Sequence, residues 1–171
     1  TLFRSYSFID EKKRRFTELL PELKAKQKLA GKQELATVYK GVRGIAEIYT
    51  TLVNAKGSEY NTFGGGEACA QRMGIAWWNN LHAKRAAQKL PARQVFDESV
   101  RPNAKAIEAT AKTKIKYLPK EFASFQETVI VGDYVAICVF TENCYGFLIK
   151  DASVADGYRK HFELLWQQAK P

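Results

Sequence analysis

The first thirty residues carry a helical pattern of apolar positions. One helix is predicted over Asp10–Ala30, and Gly31 ends it. Pro21 has no backbone N–H and should kink or restart this helix. Its apolar residues follow the spacing of a short coiled-coil seam: Ile9, Phe16, Leu20, Leu23 and Ala30. We therefore predict that residues 1–31 form a linker and a dimerisation helix, in which Ile9, Phe16, Leu20 and Leu23 contact a second protomer; packing on the chain's own domain is the alternative.

After Gly31 the pattern alternates between strand and helix. The predicted strands are Leu35–Lys40, Glu59–Phe63, Arg93–Phe96, Lys114–Leu118 and Tyr145–Ile149, with a hairpin over Gln126–Asn143. The predicted helices are Val42–Ala55, Glu67–Leu90, Asn103–Ala111 and Ala152–Ala169. Such alternation is typical of an α/β domain, here residues 32–171, in which flanking helices cover most of a layered sheet.

Three of these helices show one apolar face each. In the first the face comprises Ile45, Ile48, Tyr49 and Leu52. In the long helix it comprises Met73, Trp77 and Leu81. In the last it comprises Ala155, Tyr158, Phe162, Leu165 and Trp166. These residues are the predicted helical contribution to the core.

Composition narrows the class of protein. The chain has 171 residues, 46% of them hydrophobic, which suits one domain with a core and an appendage. No apolar stretch reaches the roughly 18 residues of a membrane span, and no secretory signal is visible, so we expect a cytoplasmic protein without a membrane partner. The net charge of +9 favours an anionic partner, although solvated helix faces explain the lysine and arginine clusters equally well.

Cysteine and histidine usage gives no sign of a cofactor. Cys69, Cys138 and Cys144 form no CxxC pair and are interpreted as reduced thiols. His82 and His161 lie far apart in the sequence and have no cysteine at ligand spacing. We therefore predict neither a metal nor another cofactor.

A glycine-rich loop joins the second strand to the long helix. Its segment Phe63–Glu67, FGGGE, allows positive φ angles and places free N–H groups of the helix near a ligand. It matches no nucleotide-binding fingerprint. Phe63, Gly64, Gly65, Gly66 and Glu67 are thus candidate ligand-binding residues, and a connection without a ligand is the alternative. Trp77, adjacent to Trp78 on the long helix, is a candidate pocket wall or simply a packed side chain.

The hairpin carries a second candidate. Its residues Gln126, Thr128 and Asp133 have the spacing of H-x-K-x4-D, the motif of phospholipase-D-type phosphodiesterases. Gln cannot accept a phosphoryl group covalently, and Thr supplies no cation for the phosphate. Both can hydrogen-bond a neutral, hydroxyl-rich ligand. We therefore predict a ligand site at Gln126, Thr128 and Asp133 with no catalytic residue; an ordinary hairpin is the alternative.

Taken in order, several short segments resemble one family. They are Tyr39, Gly41 and Gly44 at the first helix, YLPKEF (Tyr117–Phe122), VGDYVAI (Val131–Ile137) and FELLW (Phe162–Trp166). Together they are similar to the C-terminal effector domain of TrmB-type, sugar-responsive transcriptional regulators, over about residues 9–169.

The resemblance implies a phospholipase-D-like fold used to sense an effector without catalysis. It also implies a homodimer through the N-terminal helix, and DNA contact only through an upstream winged helix-turn-helix, which this sequence lacks. The implied effector is a small polar, sugar-like metabolite. Two alternatives remain: a nucleic-acid-binding module that uses the basic surface, and a phospholipase-D-type phosphodiesterase, which would need a second HxK site outside a helix.

Overall fold

The computed structural model describes residues 11–21, 35–110 and 112–171, and the chain divides into two compact units, residues 1–34 and 35–171. In the first unit, residues 11–21 form helix α1.

Helix α1 contains two of the four predicted dimerisation residues. Phe16 is 58% exposed and Leu20 is half-buried. Ile9 and Leu23 lie outside the described residues. The predicted dimerisation helix therefore stays a prediction.

The second unit is an α/β domain. Its strands are β1 Ala36–Lys40, β2 Tyr60–Gly64, β3 Ala92–Asp97, β4 Thr113–Leu118, β5 Gln126–Val131, β6 Tyr134–Val139 and β7 Tyr145–Lys150. Its helices are α2 Gly41–Asn54, α3 Gly66–Met73, α4 Ile75–Ala87, α5 Arg101–Glu108 and α6 Ala152–Gln168. Short 3-10 turns at Glu98–Val100 and Lys120–Phe122 precede α5 and β5. The predicted elements are confirmed to within a few residues, with one exception described below.

The seven strands form one mixed sheet in the order β1-β7-β6-β5-β2-β3-β4. Strands β2, β3 and β4 run parallel, and the remaining pairings are antiparallel. Strand β5 therefore lies in the middle of the sheet, paired with β2 on one side and β6 on the other. The carboxyl end of β2 consequently meets the amino end of β5, which positions the site described below.

One face of the sheet packs against α2, α3 and α4. The predicted apolar face of α2 is confirmed, since Ile45, Ile48, Tyr49 and Leu52 are fully buried. At about 25 cal/mol per Å² of buried apolar surface, each of these side chains contributes roughly 1.5–3 kcal/mol of transfer free energy.

The opposite face packs against α6, where the predicted stripe is also confirmed. Ala155 and Phe162 are fully buried, and Trp166 packs against their cluster. Asp151 caps this helix by accepting hydrogen bonds from the N–H groups of Ser153 and Val154. Helix α6 does not cover the whole face, because Val38 on β1 and Phe147 on β7 remain 56% and 37% exposed. Among the described residues the helices thus cover most of the sheet, as predicted, and leave this edge exposed.

The predicted long helix Glu67–Leu90 is wrong as a single element. Gly74 adopts a φ of +86° and divides it into α3 and α4. After this break the inward face of α4 comprises Trp78, His82 and the predicted Leu81, which are buried, whereas the predicted Trp77 is only half-buried. Met73, at the end of α3, is half-buried too.

Candidate functional site

The glycine loop follows β2 and takes a conformation that side chains rarely adopt. Gly64, Gly65 and Gly66 have φ angles of +81°, +94° and +42°. The N–H of Gly65 donates to the carbonyl of Gln126 at 2.7 Å, which joins the loop to the start of β5. A Cβ on Gly64 would lie 2.5 Å from the same carbonyl oxygen. The positive φ angles expected for this loop are therefore confirmed.

Strand β5 presents its residues alternately to the two faces of the sheet. Thr128 pairs with Phe63 and shares the α6 face with Gln126; Thr128 is 2% exposed, whereas Gln126 is exposed. The ring of Phe63 stacks on His161 of α6, with 5.3 Å between centroids. Glu127, between the two predicted residues, points to the α2–α4 face and is 3% exposed. The side chain next to the glycine loop is therefore that of Glu127.

The other predicted site residues are dispersed. Asp133 is exposed in the β5–β6 turn, at the far end of a strand that is more than about 15 Å long. Trp77 lies in a surface groove on α4 with Lys84 and packs edge-on against Tyr49. Glu67 is exposed on α3. The structure thus brings Gly64 and Gly65 to the backbone of Gln126, but Asp133 and Trp77 lie elsewhere.

A cavity of about 40 Å³ lies beneath the glycine loop, between the sheet and helices α3, α4 and α5. We call it the glycine-loop cavity. Its lining residues are Gly65, Gly66, Cys69, Ala70, Ile75, Trp78, Asn79, His82, Phe96, Val100, Asn103, Ile107 and Glu127. Ile75 and Asn103 are exposed and mark its mouth. A cavity needs roughly 10–15 Å³ to hold one water molecule, so this one has room for about three groups of that size.

Glu127 is the acidic residue of this cavity, and two hydroxyl groups hold its carboxyl group. The Tyr49 hydroxyl of α2 donates to Oε2, and the Thr62 hydroxyl of β2 lies 2.7 Å from Oε1. A Cβ on Gly65 would lie 3.2 Å from the Cβ of Glu127 and 3.0 Å from the Sγ of Cys69. Glycine at position 65 therefore makes room for the buried carboxyl group.

Burial dominates the electrostatics around Glu127. It raises the pKa of Glu127 to about 7, against the opposing effect of the hydrogen bonds from Tyr49 and Thr62. Burial, followed by the nearby Glu127, also raises the pKa values of Tyr49 and Cys69. The cavity therefore holds a carboxyl group that exchanges its proton near neutral pH beside groups that stay neutral.

His82 and Arg85 of α4 form the polar layer behind the cavity. Burial, followed by the charge of Arg85, lowers the pKa of His82 to about 3, so its imidazole is neutral. The buried guanidinium group of Arg85 donates to the carbonyl of Leu90, to the hydroxyl of Thr113 and, at 3.4 Å, to Nδ1 of His82. Arg85 thus links the end of α4 to the start of β4.

Several polar atoms in this layer have no hydrogen-bond partner within the described part of the chain: Tyr60 Oη, Asn79 Oδ1, both side-chain polar atoms of Gln94, and Asp97 Oδ2. Asn79 lines the glycine-loop cavity. Asp97 Oδ2 lies 3.1 Å from the position that a Cβ on Gly66 would take. No group of three or more His, Cys, Asp or Glu residues able to hold a metal ion occurs among the described residues.

The sequence interpretation missed Glu127, Tyr49, Thr62 and His82 as site residues. One signal was available, because Glu127 is the charged residue in a strand whose alternate positions, Val129 and Val131, are buried and apolar. Tyr49 and His82 gave no such signal, since both fit a helical core pattern.

Comparisons with known proteins bear on the fold. No family model and no curated protein sequence matches the chain. Among solved structures it is similar to TrmBL2, described as an archaeal chromatin protein with a novel mode of DNA binding, at 16% identity and a TM-score of 0.61. The match covers 94% of this chain and 66% of TrmBL2.

Two shorter neighbours are similar over 79% of this chain. NucT from Helicobacter pylori matches at 8% identity and a TM-score of 0.58, over 97% of its length. Nuc from Salmonella typhimurium, a phospholipase D family member, matches at 14% identity and a TM-score of 0.59, over 95% of its length. The predicted phospholipase-D-like fold, of the kind expected for the C-terminal domain of a TrmB-type regulator, is therefore confirmed.

Proposed function

We propose that the chain is a non-catalytic, effector-sensing domain of a TrmB-type transcriptional regulator, and that the glycine-loop cavity binds a small polar metabolite or the end group of a larger one. The observation that carries this proposal is the buried carboxyl group of Glu127 at the glycine loop. It combines with a phospholipase-D-like fold whose motif positions hold Gln126 and Thr128.

The chemistry of the hairpin argues against phosphodiester hydrolysis. Such catalysis needs a nucleophile with an accessible lone pair and a cation for the phosphoryl oxygens. Thr128 is buried and uncharged. Neither histidine substitutes for the missing group: His82 is buried on the α2–α4 side, and His161 stacks on Phe63 on the α6 side. The proposal therefore assigns no catalytic residue.

The lining of the cavity suits a small ligand with hydrogen-bonding groups. Trp78 and Phe96 supply apolar surface, and Asn79, Asn103 and Glu127 supply polar groups. An apolar pocket with a few converging polar groups is the usual form of a small-molecule site.

A thermal-shift screen tests ligand binding. A ligand present at one hundred times its dissociation constant stabilises the protein by about 2.7 kcal/mol. Ala70→Phe should fill the cavity and abolish the shift, whereas Ala83→Phe, on an exposed position of α4, should preserve it. No shift with any small polar compound, or equal shifts in both variants, would remove the support for this site. Phosphodiesterase activity lost on Gln126→Ala would instead favour an enzyme.

Dimerisation through the N-terminal helix is part of the same proposal. Ile9, Phe16, Leu20 and Leu23 would form the seam between protomers. Sedimentation of the whole chain at micromolar concentration should give a dimer, and Phe16→Glu should give a monomer. A monomeric wild-type chain would contradict this part.

Direct nucleic-acid binding is the second candidate function. The net charge of +9 and the likeness to TrmBL2, described as a DNA-binding chromatin protein, favour it. DNA binding by the basic surface would be salt-dependent and without sequence preference, because phosphate contacts carry no base information. A footprint at one sequence that survives moderate salt would contradict the proposal of an effector-sensing domain.

A further inference from the structure

The hydrogen-bond geometry of the Thr62 hydroxyl group bears on the charge of Glu127. Its oxygen lies 2.7 Å from Glu127 Oε1 and 2.9 Å from the carbonyl oxygen of Thr128. One hydroxyl proton cannot serve two acceptors fully. If Glu127 is protonated at Oε1, it donates to Thr62, Thr62 donates to the Thr128 carbonyl, and Tyr49 donates to Oε2. Each of these groups then has its partner, so the geometry favours a neutral carboxylic acid in the unliganded fold.

Two buried acceptors in and beside the cavity lack a donor. They are Oδ1 of Asn79, a residue that lines the cavity, and Oδ2 of Asp97, beside Gly66; neither has a partner in the described part of the chain. Asp97 is 3% exposed. An unpaired buried acceptor costs roughly 1–3 kcal/mol, which a donor on a ligand would recover. The apolar walls include the rings of Trp78 and Phe96, which attract cations through their faces.

We propose that the glycine-loop cavity binds the primary ammonium group of a small organic amine, and that Glu127 becomes its carboxylate counter-ion. This inference rests on the proposed small-molecule site and names the chemical class of its ligand. On binding, the carboxyl proton leaves to solvent, and the ammonium group keeps its charge. The ammonium group would then donate hydrogen bonds to the side-chain oxygens of Glu127 and Asn79. A phosphate or carboxylate ligand would instead be repelled by these oxygens.

Glu127 is the group that changes its protonation state on binding, because the polar groups around it keep theirs. They are Tyr49 on α2, Tyr60 and Thr62 on β2, Cys69 on α3, His82 and Arg85 on α4, and Cys138 on β6. Burial raises the pKa values of Tyr49, Tyr60 and Cys69, and lowers that of His82, so these groups stay neutral at neutral pH. Arg85 donates to Leu90 and Thr113 and stays charged on both sides of pH 7.

Three probes of similar size separate the possible ligand classes: ethylammonium, ethanol and acetate. Each has three or four heavy atoms and suits the cavity volume. Titrations followed by ¹H–¹⁵N NMR should shift the backbone amides of Gly65, Gly66 and Cys69 and the side-chain amide of Asn79. With ethylammonium, the affinity should rise about tenfold per pH unit below the pKa of Glu127, and level off above it, because one proton is released. Calorimetry in two buffers of different ionisation enthalpy should show one proton released at pH 6 and none at pH 8.5.

Glu127→Gln provides the decisive variant because it keeps the hydrogen bonds of the neutral acid and removes the charge. It should lose ethylammonium binding at pH 8 by at least tenfold, while the exposed control Glu47→Gln should bind like the wild type. Ethylammonium binding that is independent of pH, or unchanged in Glu127→Gln, would overturn the inference. Shifts with ethanol or acetate but not ethylammonium would overturn it too and leave the proposed site intact. No shift with any probe would count against both.

Discussion

Glu127→Gln should make the protein more stable in mildly alkaline solution. The folded state holds the carboxyl proton of Glu127 up to a pKa of about 7, whereas the ordinary value is 4.5. Because the folded pKa is raised, the stabilisation is complete below pH 4.5 and is lost as pH rises through 7. At 1.36 kcal/mol per unit of pKa difference, the stabilisation that is lost amounts to about 3 kcal/mol.

The glutamine amide copies the protonated acid. Its carbonyl accepts from Tyr49, and its NH₂ donates to Thr62, which then donates to the Thr128 carbonyl. We therefore expect the variant to match the wild type below pH 4.5 and to exceed its free energy of unfolding by up to about 3 kcal/mol at pH 8.

His82 shapes the acid side of the same profile. Its folded pKa is about 3, and its ordinary value is 6.5. A lowered histidine pKa gives stability that is complete above pH 6.5 and is lost as pH falls toward 3, by roughly 5 kcal/mol. The contributions of Glu127 and His82 to the slope have opposite signs between pH 4.5 and 6.5. The wild type should therefore be most stable in that interval, whereas Glu127→Gln should gain stability up to about pH 6.5 and keep it at higher pH.

Urea unfolding followed by tryptophan fluorescence at pH 5, 6, 7 and 8 measures these curves. Glu47→Gln, an exposed glutamate on α2, is the matched control and should follow the wild type. Glu127→Gln that is no more stable than the wild type at pH 8, or a difference between the two proteins that stays constant from pH 5 to pH 8, would refute the raised pKa of Glu127.

Substitutions of Arg85, Lys89 and Gly65 test the fold around the site. Arg85→Ala should lower the free energy of unfolding by roughly 3–5 kcal/mol, because it leaves a cavity and unpaired groups at Leu90 and Thr113; Arg85→Met should cost clearly less in the same urea titration. Lys89→Gly should raise the urea midpoint by the equivalent of about 1 kcal/mol, since Lys89 has a φ of +60°; an unchanged midpoint would contradict this. Gly65→Ala should lower the free energy of unfolding by roughly 1–3 kcal/mol, because position 65 has a positive φ and the new Cβ would contact Cys69. The loss should be visible as a lower melting temperature. The control Ala83→Gly should cost about 1 kcal/mol or less.

The elements could be predicted from the sequence because their local patterns agree with their packing. The four inward residues of α2 recur at helical spacing and are all fully buried. The same holds for α6, whose stripe includes Phe162. Gly74 gave a weaker signal, since a single glycine inside a helical pattern is often tolerated. Its φ of +86° is not determined by the helix pattern alone.

The face of β5 that meets the glycine loop could not be predicted. A central strand with helices on both sides is apolar on both faces, so alternation does not identify which face meets a given loop. Thr128 shares its face with buried Ile130, and Glu127 shares the other with buried Val129. The motif spacing favoured Gln126 and Thr128, whereas the pairing of Gly64 with Glu127 places the carboxyl group beside the loop.

The glycine loop itself is explained by packing. Gly64 avoids the Gln126 carbonyl, Gly65 makes room for Glu127 and Cys69, and Gly66 lies against the Ser124 carbonyl. These contacts would require glycine with or without a ligand, so the loop alone is weak evidence for a site.

The carboxyl group of Glu127 has no comparable explanation from stability. A buried ionisable group carries a desolvation cost, and an apolar side chain of similar size in a core is usually as stable or more stable. Its neighbours on the same face of β5, Val129 and Val131, are apolar and fully buried. Two hydroxyl groups are nevertheless directed to its oxygen atoms, from Tyr49 and Thr62. Glu127 therefore costs stability and is nevertheless held in place at both oxygens. Ligand binding explains such a residue better than packing does, and so Glu127, not the glycines, supports a binding site here.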